Sequence, residues 1–281
     1  MVSVIISYYN EKDVLSTCLK SLAAQSYTDF EIITVNDGST DNSKKIVQNA
    51  KLQFKLKKLT LLTQQHKGPA SSRNLGANFA KGEILVFVDA DITFEKKFLE
   101  NLVVPIEKGK SKGTFTKEEY VSNWTNVWAR CWNYNNGLNT ALRIPQNYPS
   151  KAPVFRAILA SEFKRVRGFD EIGYTDDWTL SRKLGYLSDA AVGAICYHRN
   201  PQSIKEVFES ARWIGKNEFI SGTLFRKIIN LIRFSPQVQS IRAFILTIRF
   251  REIILPLFII IYSLAVNLSI IESFVSEKKY K

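Results

Sequence analysis

Four apolar runs in the first 91 residues, separated by stretches of helical length, are the feature that most restricts what this chain can become. Residues 2–7 form the first run and lead into Tyr8-Tyr9-Asn10-Glu11; Phe30–Val35 leads into Asn36-Asp37-Gly38-Ser39-Thr40-Asp41. Leu59–Thr63 is the third, and Glu83–Val88 is almost wholly apolar before Asp89-Ala90-Asp91. Between them, Val14, Leu15, Cys18, Leu19 and Leu22 recur at helical spacing, and helices are expected near 42–52 and 69–80. Strands alternating with helices at these lengths favour parallel pairing, with helices covering both faces of one sheet. Ligands of such sheets collect beyond the strand C-termini. Glu11, Asp37, Asp89 and Asp91 all follow strands, so they are expected to converge.

Beyond residue 105 the alternation weakens. Lys117–Asn139 reads as a helix carrying Tyr120, Trp124, Trp128 and Trp132 at four-residue spacing, which suits core packing, a lipid groove or an aromatic sugar site. A loop is expected over 140–153, which holds three prolines. In Gly173-Tyr174-Thr175-Asp176-Asp177-Trp178, the two aspartates open a short helix, where the dipole favours negative charge. A last strand over Ala190–Cys196 ends at Tyr197-His198-Arg199.

The C-terminal part differs in kind. No charged residue occurs from Ile253 to Ile271, a stretch that spans roughly 28 Å as a helix, close to the hydrocarbon thickness of a bilayer. Arg242, Arg249 and Arg251 precede it and Lys278, Lys279 and Lys281 follow. A single membrane span with the catalytic part on the cytoplasmic side is expected; a buried terminal helix or an interfacial hairpin is the alternative. Before it, Phe225, Ile228, Ile229 and Ile232 interleave with Arg226, Lys227 and Arg233 as in an interfacial helix, though a soluble packed helix fits nearly as well. The expected division is therefore a catalytic domain over 1–203, a basic amphipathic membrane-interface region over 204–251, and a transmembrane helix with a short basic tail over 252–281.

Basic residues outnumber acidic ones 39 to 26, a net charge of +13. That suits nucleic acid, an anionic membrane surface or a phosphate-bearing substrate. No finger, helix-turn-helix or RNP pattern supports nucleic acid. Cys18, Cys131 and Cys196 form no CxxC pair and are expected to be buried as small hydrophobes. A basic leader followed by a longer apolar segment does not precede the first strand, so a cleaved secretory signal is not expected.

Asp89-Ala90-Asp91 carries the sharpest chemistry. Two carboxylates at a strand end can help hold a divalent ion and a diphosphate, and oxygen ligands suit Mg²⁺ or Mn²⁺. Asp37 could accept from a nucleobase edge or simply shape its turn. Lys67 and Arg73 could accompany a nucleotide phosphate. His198 could reach a metal or diphosphate, or make a structural hydrogen bond. Asp176 and Asp177 offer a base for an acceptor hydroxyl, or a helix cap.

Taken in order, Val4-Ile5-Ile6-Ser7-Tyr8-Tyr9-Asn10-Glu11, Val35 to Asp41, Gly68 to Gly76 with Ser72-Arg73-Asn74, and Phe87-Val88-Asp89-Ala90-Asp91 resemble family 2 of the inverting glycosyltransferases, over approximately residues 2–199. The resemblance implies an α/β fold of GT-A type, a nucleotide-diphosphosugar transferase fold with a mostly parallel central sheet, here followed by C-terminal interfacial helices and a transmembrane helix. It implies a donor site of Ser7, Tyr9, Glu11, Asp37, Lys67, Arg73, Asp89 and Ala90, with Asp37 at the base and Asp89 at the ribose or sugar. It implies Asp91, with His198, as ligands of Mg²⁺ or Mn²⁺, and Asp177 as base beside Asp176, which stands where a glutamate is more usual. Trp124, Trp128, Trp132 and Trp178 would border the acceptor. The implied activity is transfer of a hexose from a UDP- or GDP-sugar to a membrane lipid-linked or glycolipid acceptor at the plasma membrane. A polyprenyl-phosphate acceptor and a noncatalytic membrane sugar-binding protein are the alternatives. No convincing QxxRW segment or multispan channel occurs, which argues against a processive synthase, and Asp91-Ile92-Thr93-Phe94 departs from the dolichyl-phosphate mannose synthase pattern.

Overall fold

The computed structural model describes residues 1–172, 176–216 and 224–275. Gly173, Tyr174 and Thr175, and the tail lysines Lys278, Lys279 and Lys281, lie outside the described residues. The chain divides into two units. Unit 1 comprises Met1–Tyr120, Gln146–Glu171 and Asp176–His198; unit 2 comprises Val121–Pro145, Ile172–Thr175 and Arg199–Lys281. Relative to the expected cut at 203, residues 121–145 group with the C-terminal helices.

In chain order, unit 1 begins β1 (Val2–Tyr8), α1 (Leu15–Ala23), β2 (Phe30–Asp37), α2 (Ser43–Gln53), β3 (Leu59–Gln64), α3 (Pro69–Phe79) and β4 (Ile84–Asp89). It continues through β5 (Ile92–Phe94), α4 (Phe98–Glu107), β6 (Gly113–Phe115) and β7 (Glu119–Val121). After α5 (Val127–Asn135), which belongs to unit 2, come β8 (Lys151–Ala152), β9 (Ala157–Leu159), α6 (Ala160–Arg165), α7 (Asp177–Leu184), β10 (Ser188–Ala190) and β11 (Cys196–His198).

The main sheet has the order β3-β2-β1-β4-β9-β6-β10-β8, and a small one the order β5-β11-β7. The β1–β2, β2–β3, β1–β4 and β6–β10 pairs are parallel, whereas β9 runs antiparallel to β4 and β6. This is a GT-A-like fold with a mostly parallel sheet.

Two-residue periodicity sorts the strands between two cores. Val2, Val4, Ile6 and Tyr8 of β1 join α1 and α4 through Leu19, Phe98 and Leu102. Ile5, with Leu85 and Phe87 of β4, packs against Ala77 of α3, Phe163 of α6 and Leu180 of α7. Gly76 brings α3 onto β1, since a Cβ there would sit 2.5 Å from Ile5 Cγ2. All three cysteines are buried, as expected.

The helix expected over Lys117–Asn139 is shorter. Tyr120 lies in β7, Trp124 in the turn after it, and α5 starts at Val127. Asn126 sets that start: its Oδ1 accepts from Trp128 N at 2.9 Å and Ala129 N at 3.1 Å, satisfying donors that an extended helix would have paired internally. Tyr120 and Trp124 therefore share no helical face with Trp128 and Trp132.

Unit 2 also contains α8 (Ile204–Gly215), α9 (Leu224–Arg233), α10 (Pro236–Phe250) and α11 (Leu255–Glu272). Its core joins Cys131, Val207, Ala211, Phe234, Phe258 and Val266. Among the described residues α11 is the one helix long and apolar enough to cross a membrane, with half of its residues buried within the fold.

Candidate active site

Parallel registry carries the polar ends of four strands to one rim. Ser7 lies opposite Asp89, Tyr8 opposite Asn36, and Asp37 opposite Gln64. Asp37 is buried, and both of its carboxylate oxygens are engaged. Oδ1 accepts from Gln64 Nε2 at 2.7 Å and Lys67 N at 2.9 Å; Oδ2 accepts from Gly68 N at 2.8 Å and pairs with His66 Nδ1 at 2.8 Å. Asp37 thus organises the β3–α3 loop. Gly38, at φ +76°, permits this approach, because a Cβ there would meet His66 N at 2.9 Å. Tyr9 stacks on His66 with ring centroids 4.0 Å apart. The Glu11 amide donates to Ser43 Oγ at 2.9 Å, tying the end of β1 to the start of α2. The Lys67 side chain is exposed, and Ala90 is buried between the two aspartates that flank it.

Arg73, on α3, is the hub. Its guanidinium is 9% exposed, with Nη2 at 2.8 Å from Asp89 Oδ1 and Nη1 at 3.0 Å from Asp176 Oδ1 and 2.6 Å from Asp177 Oδ1. A planar fork can hold several carboxylates at fixed angles, which an ammonium cannot do. Asp176 and Asp177 differ sharply in access, at 2% and 39% exposed. Burial, reinforced by the neighbouring charges of Asp177 and Asp89, pushes the Asp176 carboxyl up to about 7 despite Arg73. For Asp89, burial alone would raise the pKa, but Arg73 and Arg156 outweigh it and hold the carboxyl well below the usual range.

Arg156 and Glu119 complete the cluster and were not singled out from the sequence. Arg156 Nη1 donates to Asp89 Oδ2 at 3.1 Å, and Nη2 reaches Glu119 Oε2 at 3.4 Å. Glu119 Oε1 lies 2.8 Å from His198 Nδ1, while His198 Nε2 lies 3.0 Å from Asp91 Oδ2. Asp37, Arg73, Asp89, Asp91, Asp176, Asp177 and His198 thus all lie in unit 1, and all but Asp37 are linked through these contacts to Arg73 or Arg156.

The aromatic candidates are not gathered together. Trp178 opens α7 in unit 1 and is exposed. Trp124, Trp128 and Trp132 belong to unit 2, where Trp124 packs edge-on against Tyr134, Trp132 against Phe258 and Tyr262, and Trp128 against the helical core.

The model of glycosyl transferase family 2 matches residues 3–166, more than half of the chain and the whole run of strands that builds the rim. The chain belongs to glycosyl transferase family 2. This family 2 chain is 34% identical over 237 residues to the glycosyltransferase GlyG of Streptococcus pneumoniae serotype 4 (strain ATCC BAA-334 / TIGR4), covering 76% of the chain and 75% of that relative. It is 44% identical over 89 residues to the uncharacterized glycosyltransferase YibD of Escherichia coli (strain K12), a match covering 32% of the chain and only 25% of that relative. The mannosyltransferase PcManGT from Pyrobaculum calidifontis, solved with GDP-Man and Mn²⁺, shares its fold at a TM-score of 0.63 and 19% identity, over 95% of this chain and 86% of that one. S. aureus TarS 1-349 with UDP-GlcNAc does so at 0.57 and 20%, over 85% and 71%. At such identities the likeness speaks to the fold.

A divalent cation fits one part of the cluster. His198 stands between two carboxylates, and a neutral imidazole can donate to only one of them. Nδ1 faces Glu119 and Nε2 faces Asp91, so Nε2 and the Asp91 carboxylate are the pair that would hold an ion. Among the described residues no group of three or more His, Cys, Asp or Glu side chains could hold a metal alone. Two protein donors completed by diphosphate oxygens and water match the way Mg²⁺ is bound at phosphate sites.

Proposed function

We propose that this family 2 chain is an inverting glycosyltransferase that moves a hexose from a UDP- or GDP-sugar to a lipid-linked or glycolipid acceptor at a membrane. The observation that carries the reading is the shared guanidinium of Arg73, which holds Asp89 at 2.8 Å and Asp177 at 2.6 Å. It sets a donor-side carboxylate and a solvent-reachable base one side chain apart.

In this reading the rim at Ser7, Tyr9, Glu11 and Asp37 receives the nucleoside, with Asp37 acting directly or through the loop it orders. Asp89 and Ala90 flank the ribose or sugar, and Lys67 lies toward the phosphates. Arg73, enclosed by carboxylates, supports Asp89 and Asp177 more than it meets phosphate. Asp91 and His198 would hold Mg²⁺ or Mn²⁺, which when bound neutralises charge on the departing diphosphate. Asp177 accepts the proton of the acceptor hydroxyl as that oxygen attacks the anomeric carbon from the face opposite the leaving group. Asp176, buried behind it, keeps Asp177 and Arg73 in place. One displacement inverts the anomeric centre. Trp178 would border the acceptor on the exposed side.

For attachment we assign 204–251 to the membrane interface and 252–281 to a span and tail, with the catalytic domain of 1–203 on the cytoplasmic side of the plasma membrane. The test is a panel of UDP- and GDP-sugars with Mn²⁺ and membrane lipid extract, read by product mass and anomeric configuration. Asp177→Asn should retain nucleotide binding and lose about 10²- to 10⁴-fold in transfer. Equal transfer by wild type and Asp177→Asn would remove the base assignment, and donor binding with no transfer to any acceptor would favour a sugar-binding protein.

A further inference from the structure

Two helices of unit 2 carry an apolar stripe on their outer face. On α9, Phe225, Ile228 and Ile232 recur at the spacing that normally faces a core, and on α10 Ile241, Phe244 and Ile248 do the same. All six are exposed, between 45% and 72%. The inward positions mix apolar and polar residues: Ala243 is buried in the core, and Leu231, Leu246 and Phe250 pack on it. Asn230 of α9 and Gln239 of α10 are buried. Gln239 Nε2 donates to the Arg233 carbonyl at 2.7 Å, Arg242 Nη2 donates to the Asn135 carbonyl, and Lys227 Nζ donates to the Ser273 carbonyl at 3.0 Å. The inner face of each helix is therefore committed to the fold by packing and by specific hydrogen bonds, so the outward apolar stripe is the built orientation.

Charge identifies what covers it. From residue 224 to 251 there are six basic side chains, Arg226, Lys227, Arg233, Arg242, Arg249 and Arg251, and no acidic one. A second copy of the chain would bring the same cations against themselves. An anionic leaflet offers hydrocarbon to the stripe and phosphate to the exposed cations Arg226, Arg233, Arg249 and Arg251 at once. The neighbouring α11 adds outward apolar residues, Leu264 among them.

We infer that the α9–α10 face docks on an anionic lipid leaflet, with Phe225, Ile228, Ile232, Ile241, Phe244 and Ile248 entering the acyl boundary. This rests on the membrane reading above and adds the surface and the lipid class. It makes the membrane contact of this chain broad and lateral, beyond a single anchoring helix.

The test uses the full chain with Phe244→Cys carrying an environment-sensitive fluorophore; the native cysteines are buried and leave the label selective. A second label at Leu264→Cys reports on α11. With vesicles of phosphatidylcholine mixed with phosphatidylglycerol, the Phe244 label should move to an apolar environment. Phosphatidylcholine alone should give at least about a tenfold weaker response, and added salt should weaken the anionic case. Ile241→Asp with Phe244→Asp should bind anionic vesicles at least about tenfold less well, while UDP and GDP binding is unchanged. A shift at Leu264 with Phe244 left in water would overturn the docking and spare the membrane reading. A shift at neither site would overturn both. A vesicle-independent shift that grows with protein concentration would assign the face to a second copy and overturn the proposal. None of these readouts uses sugar transfer, so failure here is separate from failure of the catalytic assignment.

Discussion

Arg73 Nη1 and Asp177 Oδ1 meet at 2.6 Å across 104 positions of sequence. One helix interior, α3, thereby holds the first residue of another, α7. The carboxylate proposed as base owes its place to a cation that is itself held by Asp89.

Arg73→Lys should keep the charge and lose the fork. An ammonium cannot reach Asp89 and the Asp176–Asp177 pair with fixed geometry. The expected result is a transfer rate about 10²-fold lower from misplacement of the base, with nucleotide affinity changed less than about tenfold. Single-turnover rates beside equilibrium titration of UDP or GDP would separate the two.

Asp176→Asn should alter the pH dependence of stability in a defined direction. The folded carboxyl is raised to about 7 from 3.8, first by burial. Between those values the native state keeps a proton that the unfolded chain has released. That contribution to stability is full below about 4 and declines as pH rises toward 7, by about 1 kcal/mol per pH unit. Denaturant unfolding from pH 4 to 7 should show the wild type losing ground to Asp176→Asn as pH rises; parallel curves would refute the assignment.

Glu119→Gln tests the support of His198. With the acceptor at Nδ1 weakened, the ring loses its fixed tautomer and orientation. Mn²⁺ affinity in the presence of UDP or GDP should fall about 10- to 100-fold, measured by the electron paramagnetic resonance signal of free Mn²⁺. The chain has two histidines, so nitrogen spectra of labelled protein should also show loss of the Nδ1–H form at one of them.

Asp37→Asn sets an amide NH₂ either against Gln64 Nε2 and the Lys67 N–H or against the Gly68 N–H and His66. An oxygen that accepted becomes a donor facing donors, at a cost of about 1–3 kcal/mol. Nucleotide binding should weaken by about tenfold or more, and hydrogen exchange should quicken at the Lys67 and Gly68 amides. Unchanged exchange there would show that the loop does not depend on Asp37.

The first half of the site was readable because strand periodicity and strand-end acids coincide: Asp37, Asp89 and Asp91 each follow an apolar run long enough to be unmistakable. Arg156 and Glu119 were not readable. Each sits beside or within a strand of three residues, too short to show a period, and their partners lie 67 and 79 positions away. Trp124 illustrates a different failure. Four-residue spacing continued past the true start of α5, and only the Asn126 side chain marks where the helix begins. Likewise, the stripe on α9 was plain in sequence, but periodicity cannot say whether a stripe faces in or out. That depended on the inner face of α9, where Asn230 is buried and Leu231 packs on the core.

The pairing of Ser7 with Asp89 and of Asp37 with Gln64 has a consequence for how such a chain can vary. Removal of one residue within β1, β2 or β4 would rotate every following side chain to the opposite face and dissolve the rim. Length changes are then confined to the connections between strands and helices. The frame tolerates substitution but not miscounting.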